Sequence, residues 1–481
     1  MTTKVANPHT LNIDLPVTDQ GHVDESIERV TGAELITGND VQLLVNAAEN
    51  YPAWLAAVES AKNRILFESY IIHDDEQGRM FADALIKKAK EGVDVKLIYD
   101  WLGGFGKTSR RFWRHLRENG VEVRCYNPPS LMDPLAIFSR DHRKTMVVDG
   151  ETAFVSGLCV GQDWVGYSDQ DVPGWRDTGV QLTGPAVGLV AEAFANVWGT
   201  LGTKLEQKEP AQRGRSSRAA GNIAVRVIAS VPGAANVYRA DQVLAVASRE
   251  SMWLTDAYFI GIPSYLQNLK DAAADGVDVR ILVPQGTDIG IIRDTTRSTY
   301  RPLLEAGVRV FEWNGTMMHA KTAVFDGRIS RVGSTNLNIA SWFGNYEMDV
   351  LVEDEGFGQR MQEMFLHDMQ NSTEIVLSLT TGSRSKTPKQ RKRTRKGGGS
   401  MRKATANALN AATSIGTALA RQAPLGAAEA RLLFIGGGLL LGFALLLIIF
   451  PRGASIPIVV LLLLLAIPTL IKAIQSYRKY E

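Results

Sequence analysis

Apolar and polar positions along the first 375 residues follow a pattern that occurs twice. Short apolar runs, typical of buried strands, alternate with segments whose apolar residues recur at helical spacing. Strands are predicted at 65–72, 93–99 and 121–126 in the first half, and at 252–260, 277–283 and 308–313 in the second. Helices are predicted at 52–63, 237–248, 264–275 and 298–306. This alternation predicts an α/β fold in which each half is a sheet covered by helices on both faces.

The pattern changes after residue 375. Residues 432–450 form a run of nineteen residues without a charge, which as a helix would span about 28 Å. A second apolar run at 456–471 is interrupted by Pro457 and Pro468, so it either crosses the membrane or only dips into it. A core helix is the less favoured alternative, because the pair is terminal and too apolar to be covered. We therefore expect a C-terminal transmembrane hairpin at 432–474.

Charge is distributed unevenly between these regions. Residues 384–403 carry ten basic side chains and no acidic one, which predicts a solvated linker lying against anionic lipid headgroups. Residues 1–383 carry 37 basic against 49 acidic side chains, which argues against nucleic acid as a partner. Basic residues flank both outer ends of the apolar pair, so both ends are expected in the cytoplasm. Gly438 and Gly442 form a GxxxG that is compatible with self-association of the membrane helices.

Composition and these transitions give an expected domain plan. Two cysteines, Cys125 and Cys159, are too few for a disulfide framework, and residues 1–16 lack the apolar core of a signal peptide. A reducing cytoplasmic setting is therefore expected for the body of the protein. The plan is an N-terminal extension (1–30), a first lobe (31–203), an inter-lobe linker (204–221), a second lobe (222–375), a polybasic linker (376–431), the membrane hairpin (432–474) and a basic tail (475–481).

A short polar motif also occurs in both halves. His142, Lys144 and Asp149 form one H-x-K-x4-D, and a second copy begins 177 residues later with His319, Lys321 and Asp326. A Gly follows each Asp between two apolar runs, which predicts a β-hairpin with His and Lys on one face of a strand. A lone histidine would be read as an ordinary strand residue. Its duplication with Lys at the same offset favours a functional site.

The residues beyond each motif extend the likeness. Gly333-Ser334-Thr335-Asn336 in the second half is matched by Ser156-Gly157-Leu158-Cys159 in the first. At this point the chain resembles the phospholipase D superfamily, whose signature is a duplicated H-x-K-x4-D-x6-G-S-x-N. Within that superfamily it is similar to bacterial cardiolipin synthases, and the stretches that carry this narrower likeness are 34–40, 175–178, 184–187 and 345–347.

The resemblance implies two lobes related by a pseudo-twofold axis with the active site between them, and no metal or cofactor. Lys144 and Lys321 would stabilise charge on the phosphoryl oxygens, with Asn336 and Ser334 donating further hydrogen bonds. One imidazole would attack phosphorus and the other would protonate the leaving alcohol. The family assigns the first role to His142 and the second to His319, although the residues alone do not distinguish them.

Four carboxylates complete the expected catalytic set. By resemblance, Asp177 and Glu347 fall where the family keeps an acidic partner for the imidazoles. Asp149 and Asp326 belong to the motif, but their positions suit holding hairpin turns better than touching phosphate. Cys159 departs from the family pattern, since it occupies the place that Asn336 fills in the second half. We interpret it as a buried filler rather than a redox group.

Three functions remain open from the sequence. The first is a membrane-bound phosphatidyltransferase in the bacterial inner membrane, forming cardiolipin and glycerol from two molecules of phosphatidylglycerol. The second is a phospholipase D or related transferase, in which water, serine or another alcohol takes the phosphatidyl group. The third is a nuclease of the same superfamily or an inactive lipid-tethered scaffold, which the acidic body and the two complete catalytic sets disfavour.

Overall fold

A computed structural model describes residues 20–129, 139–205 and 218–377. Two halves of this region fold in the same order. The strands of the first half are β1 (Ile36–Val45), β2 (Arg64–Ser69), β3 (Asp94–Asp100), β4 (Glu122–Tyr126), β5 (Lys144–Val148), β6 (Thr152–Ser156), β7 (Gly166–Tyr167), β8 (Val172–Pro173) and β9 (Thr178–Thr183). Its helices are α1 (Gln20–Thr31), α2 (Asn46–Ser60), α3 (Glu76–Lys90), α4 (Arg110–Glu118), α5 (Gln162–Val165) and α6 (Val187–Thr200).

The second half repeats the arrangement. Its strands are β10 (Ile223–Ser230), β11 (Ser251–Thr255), β12 (Asp278–Pro284), β13 (Arg309–Trp313), β14 (Thr322–Phe325), β15 (Ile329–Gly333), β16 (Glu347–Glu353) and β17 (Ser372–Ile375). Its helices are α7 (Asn236–Ala247), α8 (Pro263–Ala274), α9 (Gly290–Ser298), α10 (Tyr300–Glu305) and α11 (Glu355–Gln370). Every strand predicted in either half is present, with ends shifted by a few residues.

The strand order shows the internal symmetry directly. Outward from the central antiparallel pair β1 and β10, the first half runs β1-β9-β6-β5-β2-β3-β4 and the second runs β10-β16-β15-β14-β11-β12-β13, with β17 added at its edge. In both halves the last three strands of the common order are parallel and the others antiparallel. The α/β class and the pseudo-twofold relation predicted from the repeat are therefore confirmed.

Hydrophobic cores lie on both faces of each sheet. In the first half, α2, α3 and α4 pack on the outer face around Trp54, Phe67 and Phe81. In the second half, α7 and α8 cover the outer face, and α1 packs there against α7 with Ile27 fully buried. The inner faces share one core with α6 and α11, which includes Val155 and Val350. The two halves are thus joined by buried apolar surface, and the helix in the expected N-terminal extension packs on the second half.

The predicted hairpins form, but the motif aspartates do not reach the candidate site. Asp149 and Asp326 have positive φ angles of 53° and 50° in the β5–β6 and β14–β15 turns. Asp149 accepts backbone N–H bonds from Lys62, Asn63 and Arg64 at 2.7–2.8 Å. Asp326 does the same, at 2.8–2.9 Å, for Arg249, Glu250 and Ser251, the last of which begins β11. These contacts fit the expectation that both aspartates hold the hairpin turns, since each carboxylate lies at the far end of its strand from the histidine.

We predict that Asp149→Ala and Asp326→Ala lower stability without removing the chemistry. Each change leaves three backbone N–H groups without their acceptor, which should cost about 1–3 kcal/mol. Thermal unfolding should shift to lower temperature in both variants, while Asp83→Ala, an exposed control on α3, should not shift it. A loss of specific activity of 100-fold or more in a folded Asp149→Ala sample would return this residue to the catalytic set.

The expected membrane hairpin (432–474), the polybasic linker (376–431, apart from its first two residues) and the basic tail lie outside the described residues. So does most of the inter-lobe linker. Within the three described ranges, no helix combines the length and apolarity needed to cross a bilayer.

Candidate active site

Both motif histidines lie where one half of the protein contacts the other. They come just before β5 and β14, rather than within a strand as the pattern predicted. The backbone N–H of His142 donates to the carbonyl of Tyr346 at 2.9 Å, and that of His319 donates to the carbonyl of Arg176 at 2.7 Å. Each motif segment therefore leaves its own sheet to pair with the chain that precedes β16 or β9. This exchange fixes both histidines at the interface.

The histidines and the predicted carboxylates form two crossed pairs. His142 of the first half has its Nδ1 2.9 Å from Glu347 Oε2 of the second half. His319 of the second half has its Nδ1 2.6 Å from Asp177 Oδ2 of the first half. Both carboxylates are fully buried and both imidazoles are at most 9% exposed. Each pair therefore takes its histidine from one half and its carboxylate from the other. The sequence indicated the four residues but not this pairing.

This geometry determines which ring nitrogen is available. A carboxylate beside Nδ1 favours the tautomer with the proton there, which leaves the lone pair on Nε2. Burial lowers the pKa of His142, although the Glu347 charge opposes the shift. Burial and the Lys321 charge lower the pKa of His319 to about 4. Burial alone would raise the pKa of Asp177, but His319 and Lys321 outweigh it and hold that pKa at about 2. At neutral pH the pairs are therefore neutral imidazoles against ionised carboxylates.

The two carboxylates are held differently. Ser334, which was expected to donate to the phosphate, donates here from Oγ to Glu347 Oε2 at 2.6 Å. The residue matched to Ser334 in the first half is Gly157, and a Cβ there would lie 2.2 Å from Asp177 Oδ1. Asp177 instead accepts from Trp164 Nε1 at 3.0 Å. The first copy of the motif thus has glycine where the second has Ser334. The missing side chain leaves space for Asp177, which is shorter than Glu347 and accepts its hydrogen bond from Trp164 instead.

The two motif lysines are buried next to the histidines. Lys144 and Lys321 are at most 2% exposed, and each Nζ donates to the backbone carbonyl of the histidine two residues earlier. The Nζ of Lys321 is also 2.9 Å from Nδ1 of His319. Burial lowers the pKa of Lys321 to about 8, with Asp177 opposing and Lys144 adding to the shift. Two buried ammonium groups beside two imidazoles are consistent with the role at the phosphoryl oxygens that the resemblance implies for both lysines.

The Lys321 pKa predicts an alkaline limit on activity. Since the family resemblance gives the charged ammonium the role of stabilising the phosphoryl oxygens, kcat/KM should be full below pH 8 and fall as pH rises through about 8, tending to tenfold per pH unit. Lys321→Arg, which keeps its charge at higher pH, should abolish this decline at the cost of a lower plateau. The check is a pH profile of kcat/KM, with Lys144→Arg as the matched control that retains the decline. A decline near pH 8 in Lys321→Arg would assign it to another group.

Asn336 and Cys159 occupy matched positions but differ in chemistry. Asn336 is 4% exposed, and its Oδ1 is buried without a hydrogen-bond partner in the described parts of the chain. An amide with an unpaired polar end can turn its NH2 group towards an anion, which is consistent with its predicted role as a phosphate donor. Cys159 is 1% exposed, and burial raises the pKa of its thiol. The interpretation of Cys159 as a buried neutral filler fits this environment.

Aromatic side chains around the imidazoles were not assigned a role from the sequence. The rings of Tyr70 and His142 have centroids 4.9 Å apart, and those of Tyr258 and His319 are 5.9 Å apart. Trp164 and Trp175 lie at 5.5 and 5.4 Å from His319 on the first-half side. The two tyrosines were detectable, because they recur at matched offsets in the repeat. Trp164 has a sequence counterpart in Trp342, but the Trp342 ring packs against Tyr238 and Tyr265, so the repeat did not mark a tryptophan beside His319.

Glu68 and Asp141 form a second buried carboxyl pair, next to the motif strand β5. Glu68 and Asp141 are at most 1% exposed, and burial raises the pKa of both. Thr145 donates to Glu68 at 3.1 Å, and Arg143 lies 4.0 Å from it. In the second half Asp256 takes the place of Glu68, and burial raises its pKa to about 7. These groups pack behind the motif strands rather than beside the imidazole Nε2 atoms.

Comparison with known proteins agrees with this geometry. The family described as "Cardiolipin synthase, PLD-like domain" matches residues 54–161 and 242–369, one match in each half. A cardiolipin synthase from Listeria monocytogenes is 31% identical over 353 residues, covering 72% of each chain. The chain belongs to the phospholipase D superfamily. Its relatives also include cardiolipin synthase 1 of Bacillus anthracis, 33% identical over 76% of this chain and 73% of that one.

A solved structure supports the fold of this superfamily member. Phosphatidylserine synthase from Haemophilus influenzae matches with a TM-score of 0.59 at 16% identity, over 73% of this chain and 92% of that one. At this identity the likeness shows the fold alone. It agrees with two α/β lobes built from one repeat.

Proposed function

We propose that this protein is a phosphatidyltransferase of cardiolipin synthase type that joins two molecules of phosphatidylglycerol. The observation that carries the proposal is the pair of crossed His–carboxylate contacts beside two buried lysines, in a chain whose relatives are named cardiolipin synthases. Two imidazoles, each with Nε2 free, suit a reaction that breaks one P–O bond of a phosphodiester and then forms another.

In the first step, Nε2 of His142 attacks phosphorus while Lys144 and Lys321 stabilise the phosphoryl oxygens. The N–P bond forms, the P–O bond to glycerol breaks, and His319 gives its proton to the departing oxygen. A bound phosphodiester anion would offset the Lys321 charge and raise the pKa of His319, so that the imidazole carries this proton. The products of the step are free glycerol and a phosphatidyl-histidine.

In the second step the direction of proton transfer reverses. His319, now neutral, takes the proton from the headgroup hydroxyl of a second phosphatidylglycerol. The resulting oxygen attacks phosphorus, the N–P bond breaks, and cardiolipin leaves with His142 regenerated. Glu347 and Asp177 each keep one imidazole in the required tautomer and stabilise its cation.

The test uses full-length protein in vesicles that contain phosphatidylglycerol as the only lipid. Mass analysis should find cardiolipin and free glycerol, both absent with His142→Ala. Phosphatidic acid without cardiolipin would mean that water is the acceptor and would favour the phospholipase D alternative. Absence of both products from a folded sample would contradict the proposal.

We further propose how the enzyme is attached to the membrane. Residues 432–474 would anchor it as a hairpin in the bacterial inner membrane, the polybasic linker would lie on anionic headgroups, and the catalytic body would face the cytoplasm. Self-association through Gly438 and Gly442 and the domain plan given above belong to the same proposal. A chain ending before residue 432 should be released by alkaline carbonate washing, whereas the full chain should stay with the membranes.

A further inference from the structure

Two loops related by the pseudo-twofold axis flank the candidate active site. One loop (101–109) follows β3 and the other (285–289) follows β12. Each begins with the same contact, because the N–H of Trp101 donates to the carbonyl of Tyr126 at 3.0 Å and that of Gln285 donates to the carbonyl of Trp313 at 3.2 Å. The loops therefore lie at equivalent positions, one on each side of the site.

Both loops are attached to the tyrosines that contact the imidazoles. A Cβ on Gly103 would lie 2.0 Å from the carbonyl oxygen of Tyr70, so the first loop packs directly on that residue. Asp288 in the second loop accepts from the hydroxyl of Tyr258 at 2.8 Å. A third loop, after β15, donates from Asn338 Nδ2 to the carbonyl of Tyr258 at 3.0 Å. We name these three segments (101–109, 285–289 and 337–345) the rim loops, since each contacts Tyr70 or Tyr258 beside a motif histidine.

The rim loops expose large apolar side chains that pack little against the body. Phe105 is 65% exposed, with its ring 4.8 Å from that of Trp101, and Leu102 is 41% exposed. In the second half, Ile289 is 45% and Ile339 61% exposed. Large apolar side chains exposed on several loops beside one site are typical of a surface that contacts a partner or a membrane.

Positive charge borders the same surface. Lys107, Arg110, Arg111 and Arg114 are exposed, and none of them forms an ion pair with a carboxylate in the described ranges. They follow directly after Phe105, in a body whose overall charge is negative. An apolar tip beside a cluster of cations is the pattern that binds an anionic lipid interface.

We infer that the rim loops dock the catalytic body on an anionic phospholipid bilayer. Leu102, Phe105, Ile289 and Ile339 enter the boundary between headgroups and acyl chains, and the arginines of α4 contact lipid phosphates. The site then faces the membrane, so a phosphodiester can reach His142 and His319 without its acyl chains crossing water. This inference rests on the proposed function for its substrate, but the contact itself can be tested without catalysis.

The first experiment measures the contact by fluorescence in the full-length protein. Phe105→Cys and Ile339→Cys, each labelled with an environment-sensitive fluorophore, should show a blue shift and brighter emission on going from detergent to phosphatidylglycerol vesicles. Val246→Cys is the matched control, since Val246 is 74% exposed on α7 and should show neither change. Wild type labelled in parallel corrects for Cys125 and Cys159. No shift at either rim position would overturn the inference, as would a shift in detergent that grows with protein concentration, which would indicate a second copy.

The second experiment measures the consequence for turnover. Phe105→Ser combined with Ile339→Ser should lower the ratio of turnover on vesicle lipid to turnover on short-chain monomeric lipid by at least about tenfold, because two apolar side chains lose their membrane contact. Val246→Ser should leave this ratio unchanged. Equal losses on both lipid forms would overturn the docking role. Rim-label shifts with no cardiolipin formed by wild type would instead support the docking surface and contradict the proposed function.

Discussion

Replacing His142 with alanine is expected to reduce cardiolipin formation by at least about 10⁴-fold, because no covalent intermediate can form without the nucleophile. Its Nε2 is the atom left free by the contact between Nδ1 and Glu347. The same variant should give no burst of aryl alcohol from a phosphatidyl ester with an aryl leaving group. An activated leaving group does not replace a missing nucleophile.

His319→Ala separates the two histidines. With phosphatidylglycerol its turnover should fall by about 10²–10⁴-fold, since the leaving glycerol oxygen lacks its acid. With the aryl ester a stoichiometric burst should persist, because an aryl oxide leaves without protonation. Rapid-quench measurement of the burst reads the first step, and His22→Ala, an exposed histidine on α1, is the control. A burst in His142→Ala but not in His319→Ala would reverse the assignment.

The repeat made much of the fold predictable. Apolar runs and helical spacing identified the strands of both halves, because burial imposes those periods whatever the tertiary contacts. Element ends were less predictable. The first helix is predicted to begin at Pro52, but α2 begins at Asn46 and contains that proline. The helix predicted at 298–306 is α10 preceded by α9, whose glycine start resembles a loop in sequence.

The candidate site was predictable in its residues but not in its connections. His142, His319, Asp177 and Glu347 stood out by motif and resemblance, yet pairing across the two halves depends on how the sheets pack, which no local pattern encodes. The contact of the Ser334 hydroxyl with Glu347, thirteen residues later in the same half, was also not foreseen, since it depends on the pairing of β15 with β16. Trp164 was not singled out, because its hydrogen bond to Asp177 takes in the first half the place of the one from Ser334 to Glu347, and no local pattern shows that exchange.

The crossed His–carboxylate pairs predict that each carboxylate substitution impairs the histidine of the other half. Glu347→Gln should impair His142 of the other half, and Asp177→Asn should impair His319, each by about 10²–10⁴-fold in turnover with phosphatidylglycerol. In either variant the amide can no longer hold the Nδ1–H tautomer or stabilise the imidazolium. The aryl ester then distinguishes them. Glu347→Gln should lose the burst as His142→Ala does, whereas Asp177→Asn should keep it as His319→Ala does.

Pairing within each half would give the opposite result, with the burst lost in Asp177→Asn and kept in Glu347→Gln. Glu312→Gln is the matched control, because Glu312 is a carboxylate only 3% exposed whose partners Arg297 and Tyr300 lie outside the site. It should change thermal unfolding but not the burst. If the crossed pattern holds, each chemical step uses one side chain from each half, so neither half has a catalytic unit of its own and the two docked lobes work only together.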